Sequence, residues 1–309
     1  MSLFATSPEA LAATRRVTAL SVAVAAVLIA VKSAAWYASG SVAMLASLSD
    51  SGLDLVASLI TFFAVRYAAV PPDAEHRFGH GKAEAFSSLM QGGLVFASGA
   101  LIGREAIHAI FNPRPVEQGL LAMGVMVISI ALTLALIVAQ TKVLKSTGSI
   151  AISGDRAHYA ADLGSNGVAL VGIGAASFLG VGWIDAVAGL IVALWLIWGA
   201  IGVFREAASQ LMDRELPDED RARIVALATE DPRLLGVHQL RTRASGPYIH
   251  MQMHADLEAG ISLAEAHTIM VNAENRLLEA FPAADIIIHP DPRGKAETHG
   301  GLFAEAQHG

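Results

Sequence analysis

The sequence predicts a membrane domain of six spanning helices followed by a small α+β soluble domain, and three observations predict it. Hydrophobic residues fill 54% of the 309 positions and charged residues only 16%, against a usual share of about 25%. The missing charge is missing from one part of the chain. Residues 1–212 hold 12 Lys and Arg against 12 Asp and Glu, whereas the remainder holds 9 against 16 and so carries the whole formal charge of −7. Six apolar segments, each near the roughly 20 residues that cross a bilayer core, lie at 17–38, 43–66, 84–110, 118–141, 157–179 and 183–206. The chain therefore divides into a transmembrane domain over 1–212, a soluble domain over 213–292 and a Gly-, His- and Glu-rich end over 293–309 that is expected to be disordered.

The first span follows Arg15 and Arg16. Five further apolar segments follow it, so it reads as a retained span rather than a cleaved signal peptide. It contains Lys32, which either pairs with a buried acid or snorkels to an interface. The second span contains Asp50 and Asp54, four residues apart and hence on one helical face about one turn apart. Each acid costs roughly 2.5 to 3.5 kcal/mol at the centre of a span, so the pair asks for a cation. The third and fourth spans carry no comparable acid pair, and Gly92 and Gly93 permit close helix contact in the third. The fifth span begins near His158 and Asp162, again four apart and set among small residues.

Connections alternate in positive charge. Arg15 and Arg16 precede the first span, Arg66, Arg77 and Lys82 lie in the second connection, and Lys142, Lys145 and Arg156 in the fourth, while the first and last connections have none and the third, 104–117, has Arg104 and Arg114. The bias places both termini and the soluble domain in the cytoplasm, for a multi-pass protein of the cytoplasmic (inner) membrane.

The soluble domain opens with a helix over Asp218–Glu230, after Pro217 and with acids in its first turn. Strands follow at Gly236–Arg243 and Tyr248–Leu257, separated by a Ser-Gly-Pro turn. A helix over Ser262–Phe281 starts with Ser262 and Glu265 as a capping box, and Asp285–His289 is a short β-branched strand. The order is α-β-β-α-β.

Cysteine is absent, so any transition-metal site must use His, Asp and Glu. If the face of Asp50 and Asp54 meets that of His158 and Asp162, three carboxylates and one imidazole converge, a set that suits a zinc-like ion. The alternative is separate polar contacts between helices, for which Ser47, Ser49, Ser51, Ser165 and Asn166 are available. Protons compete with metal for every ligand of the set, so exchange of a metal ion for protons follows from the ligand types. In the second connection, Asp73, His76 and His80 are spaced for one helical face, yet Gly79 and Gly81 argue for a loop, which can still fold around an ion. In the soluble domain, five histidines fall between His238 and His289.

The two acid-bearing pairs, the HRFGHGKAEA stretch, the LMDRELP exit from the last span, and the VHQLRTRASGP and IIIHPDP segments occur in order along nearly the whole chain. In these motifs the sequence resembles the cation diffusion facilitator family of divalent-metal/proton antiporters, and within it the bacterial zinc and iron efflux branch. The resemblance implies a homodimer that exchanges cytoplasmic Zn2+, or Cd2+ or Fe2+, for protons by alternating access, with a metallochaperone-like cytoplasmic domain. It implies a transport site at Asp50, Asp54, His158 and Asp162 and a second-loop site at Asp73, His76 and His80. It also implies a binuclear cytoplasmic site at His238, His254, His267, His289 and Asp291, and a charge pair between Lys82 and Asp213 that joins the protomers. His250 is outside this pattern, and Pro290 stands where the branch often has Gln.

Zn2+ is thus expected as substrate and as a regulatory or structural ion, with no other cofactor and no enzyme activity. Expected partners are divalent metal ions, protons, a second copy of the chain and the lipid bilayer; an acidic chain without a basic aromatic patch excludes nucleic acid. A metallohydrolase would need HExxH or a spare carboxylate near His158, neither of which the sequence offers. An ATP-driven pump would need a P-loop, and in HRFGHGK the first glycine of that motif falls at His76. A membrane metal sensor that signals without transport is the remaining alternative.

Overall fold

A computed structural model of the chain describes residues 8–40, 42–111, 120–179 and 183–294, in two compact units. Residues 295–309 of the end expected to be disordered, and the parts of the third and fifth connections at 112–119 and 180–182, lie outside the described residues.

The first unit is helical: α1 (Pro8–Ser39), α2 (Val42–Ala68), α3 (Ala83–Phe111), α4 (Leu120–Thr147), α5 (Ile150–Leu179) and α6 (Trp183–Leu211). Among the described residues, all but α5 are long and apolar enough to cross a membrane. The first half of α5 carries Asp155, Arg156 and Asp162, which interrupt its apolar run. The fifth span was expected to start at residue 157, and α5 starts seven residues earlier. Gly148 is the reason: at φ +62° its N–H bonds to Leu144 O at 2.9 Å and closes α4, so the chain turns directly into α5. The same turn carries α4 beyond its expected end at 141.

Within this unit α3 packs on α6 and α5, and α5 also on α4 and α2. Gly154 permits the closest of these approaches, since a Cβ there would lie 3.0 Å from Cα and Oγ of Ser88 on α3. Among the described residues of α2 those buried are Met44, Ser51, Asp54, Ala57, Ser58, Thr61, Val65 and Ala68, which from Ser51 on follow the three-and-four spacing of one helical face. Four of these eight are polar, so hydrogen bonds between helices add to the apolar packing.

The second unit comprises α7 (Asp218–Ala228), β1 (Leu234–Ser245), β2 (Tyr248–Leu257), α8 (Leu263–Ala280) and β3 (Ala284–Pro292), the order read from the sequence. Ser262 caps α8, its Oγ accepting from the Glu265 N–H at 3.2 Å. The sheet order is β1-β2-β3, with β1 antiparallel and β3 parallel to the central β2. Along β2, Ile249, Met251, Met253, Ala255 and Leu257 are all buried, and with residues of α7 and α8 they form the core. His250, Gln252 and His254 therefore point to the opposite face of the sheet. Near the start of this unit Asp231 is bound by Arg233, whose guanidinium holds its carboxyl down at about 2.

Candidate metal centres

Three groups of His and acidic side chains have ligand atoms within 4.8 Å of one another, and each uses residues singled out in the sequence.

The first joins α2 to α5. Asp54 and His158 are 7% and 5% exposed. His158 Nε2 lies 3.2 Å from Asp54 Oδ1 and 3.8 Å from Asp162 Oδ2. His158 Nδ1 and Asp162 Oδ2 are buried and have no hydrogen-bond partner. Such orphaned donors and acceptors are costly, and a bound cation of the zinc type, drawing ligands to about 2.0 to 2.2 Å, would satisfy the oxygen. Asp50 is not brought into this group. It shares the helical face of Asp54, but its side chain is exposed whereas that of Asp54, one turn on, is buried.

Beside this group lies a polar network that the sequence reading missed. Asp155 is buried and accepts at Oδ2 from Ser21 Oγ and Gln140 Nε2, both at 2.8 Å, and at Oδ1 from Gln91 Nε2 at 3.4 Å. Gln91 also donates to Ala57 O and Thr61 Oγ1 at 2.9 Å, and Tyr159 joins Ser58 at 2.7 Å and donates to Ser21 O at 3.2 Å. All of α1 to α5 are tied together. The expectation that no spare carboxylate lies near His158 is corrected: Asp155 stands one turn before it, brought into the helix by the early start of α5. The available signal was the two glutamines, amides that must find partners inside apolar spans.

Lys32 does not snorkel. It is 5% exposed, and its Nζ donates to Ser51 Oγ at 2.6 Å and to Ser47 O at 3.2 Å. Two of the serines offered as partners for the acids thus serve the lysine.

The second group is in the loop between α2 and α3. Asp73 Oδ1 accepts the backbone N–H groups of His76 at 2.7 Å and Glu75 at 2.9 Å, making a turn rather than a helix. The His76 amide first, then that of Glu75, holds the Asp73 carboxyl below the usual carboxylate range. Its Oδ2 is 3.3 Å from His80 Nε2, and the His76 and His80 ring centroids are 4.6 Å apart. Gly79, at φ +77°, gives the backbone its turn between the two histidines. Lys82 Nζ, just beyond, donates to Leu211 O at 3.4 Å.

The third group is on the open face of the sheet. His238 on β1 pairs in register with His254 on β2, and His254 with His289 on β3. Asp291 Oδ2 is 2.8 Å from His254 Nδ1 and 3.5 Å from His238 Nε2, and its Oδ1 is 3.4 Å from His289 Nε2. A bulge after His238, with Gln239 at φ +50°, changes the direction of β1 there, a device that re-aims side chains. His267 is not brought in: it is exposed on α8. His250 stands apart, its Nδ1 3.0 Å from Asp285 Oδ2. In the same unit Asp213 accepts from Arg243 Nη1 at 3.1 Å.

Two family descriptions match this chain, the cation efflux transmembrane domain over residues 18–212 and the cytoplasmic domain of cation efflux proteins over 216–293. Among individual proteins, the chain is 41% identical over 272 residues to the cation-efflux pump FieF of Shewanella oneidensis, covering 88% of this chain and 92% of that one. It is 36% identical over 283 residues to FieF of Salmonella schwarzengrund, covering 91% and 93%, and 38% identical over 270 residues to FieF of Yersinia pestis strain Pestoides F, covering 87% and 90%.

Proposed function

Because this chain belongs to the cation efflux family, the cation diffusion facilitators, we propose that it exports Zn2+ from the cytoplasm in exchange for protons, with Cd2+ or Fe2+ as further substrates. It is a multi-pass membrane transporter of divalent cations whose cytoplasmic domain belongs to the family's dimerising part. The observation that carries the finer reading is the joining of Asp54, His158 and Asp162 across two helices, with buried ligand atoms left without partners.

In this reading Asp54, His158 and Asp162 hold the ion, and Asp50 closes the set by a change of its side-chain rotamer. Carboxylate and imidazole bind a metal ion or protons but not both. Alternating access then presents one site first to the cytoplasm and next to the far side, and an inward proton gradient drives metal out. Both termini and the soluble domain are cytoplasmic. The loop group Asp73, His76 and His80 receives metal on the cytoplasmic side. The sheet group His238, His254, His289 and Asp291, together with His267, belongs to a binuclear metal site at the dimer interface, and Lys82 and Asp213 pair at the membrane edge. Metal held between protomers stabilises the dimer by mass action, so the soluble domain senses cytoplasmic metal.

The test is zinc uptake into proteoliposomes under an imposed proton gradient. Uptake is expected to collapse when the gradient is dissipated and in Asp54→Ala and His158→Ala. Uptake indifferent to the gradient overturns the exchange; undiminished uptake in both variants overturns the site.

A further inference from the structure

Lys32 is buried within α1, where apolar side chains alone would be cheaper. Among the described residues it is the only Lys or Arg in the buried class, while Asp54, Glu84 and Asp155 are buried acids of the same unit. Asp155 and Glu84 have neutral partners of their own, from Ser21 and Gln140 for the first and from Ser149 Oγ at 2.6 Å for the second. The Lys32 ammonium is held instead against α2. Its two acceptors, Ser47 O and Ser51 Oγ, stand three residues before Asp50 and three before Asp54, so it is anchored along the turn that carries both carboxylates.

The charges then nearly balance. Asp50, Asp54 and Asp162 contribute three negative charges, and His158 must be neutral to ligate. A divalent ion cancels two of the three. One negative charge is left over in a medium that tolerates none cheaply, and the Lys32 ammonium, two of whose three donors are held by Ser47 O and Ser51 Oγ, supplies its opposite. An ammonium cannot coordinate metal, so this is a positioning and tuning role.

We propose that Lys32 is the fixed counter-charge of the α2–α5 carboxylate site, limiting how tightly that site holds a divalent cation so that the cation can leave. This rests on the transport-site reading above. Repulsion between the ammonium and the bound ion raises KM and speeds release, and removing it has the reverse effect.

The sign of the change separates this role from a structural one. In proteoliposomes at pH 8, where protons compete least, Lys32→Met is expected to lower the KM for zinc about tenfold and to lower kcat, as a unit charge acting on a divalent ion through protein requires. Lys32→Gln, which keeps a donor for Ser47 O, is expected to do the same, and Lys32→Arg to keep the parental KM. A KM unchanged or raised in both neutral variants overturns the proposal, since loosened helix packing weakens a site. So does recovery of folded protein from Lys32→Arg alone, which would make the charge a requirement of folding. Asp54→Ala, measured alongside, tells the two failures apart: undiminished transport there removes the site itself, whereas lost transport there with unshifted neutral variants removes only the counter-charge.

Discussion

His158 Nε2 on α5 lies 3.2 Å from Asp54 Oδ1 on α2, and together with Tyr159 to Ser58 at 2.7 Å it joins the two acid-bearing helices. The imidazole is 104 residues from the carboxylate in sequence, buried with it, and it has Asp162 on its other side at 3.8 Å. Removing either partner leaves the other stranded in a low-dielectric interior. Transport efficiency, kcat/KM for zinc, is therefore expected to fall by more than the roughly 10- to 100-fold that loss of an outer partner of a metal ligand costs. Asp54→Asn, which keeps the shape, is the informative comparison, and a value within a few-fold of the parent would count against ligation by Asp54.

Asp155 is expected to act on stability first. Asp155→Ala removes the acceptor that Ser21 Oγ and Gln140 Nε2 share, leaving them Val17 O and Ser21 Oγ at 3.2 Å, a loss of about 0.5 to 1.5 kcal/mol for each hydrogen bond. Asp155→Asn retains an acceptor and should recover part of this. Thermal unfolding in detergent checks the order parent, Asn, Ala. Equal midpoints for all three would show that the network adds nothing.

How far the sequence reading reached is clear at these two residues. The i, i+4 pairs were visible because a carboxylate in an apolar run is conspicuous and helical periodicity fixes its face. Asp155 was invisible because Arg156 beside it looked like part of a charged connection, and only the turn at Gly148 makes that stretch helix. Asp50 shows the opposite limit. Periodicity placed it on the face of Asp54, yet its side chain is exposed one turn before the buried Asp54, because burial along a face depends on which packing partners reach each turn. In the soluble domain all five elements were legible, yet the meeting of His238 with His254 depends on strand register and on a bulge at Gln239, which alternation does not encode.

The cytoplasmic group is expected to link metal to assembly. In the full-length protein, chelation should weaken self-association, and Asp291→Ala, which removes the carboxylate that His238, His254 and His289 all approach, should abolish the response to metal. Analytical ultracentrifugation with and without zinc measures it. A dimer insensitive to chelation in the parent would contradict a metal-dependent interface.

The loop group makes a prediction about pH. The Asp73 carboxyl is held below the usual carboxylate range, chiefly by the His76 amide, so it stays charged as the solution becomes mildly acidic. A lowered carboxyl is lost only on falling through its own depressed value, so the Asp73 ligand is expected to persist at mildly acidic pH. Asp73→Asn should therefore weaken zinc binding by the loop at pH 7 and at pH 5 alike, as titration calorimetry on a protein lacking the cytoplasmic group would show. A loss seen at pH 7 and absent at pH 5 would mean that the carboxylate is already protonated there.

The central claim, that the α2–α5 group exchanges a metal ion for protons, is tested most directly by recording internal pH in proteoliposomes when zinc is added outside. The parent should answer zinc with a proton flux opposite to the metal flux, and His158→Ala, with the protein folded and dimeric, should show neither. A zinc flux without any change of internal pH, or an undiminished exchange in His158→Ala, would contradict it.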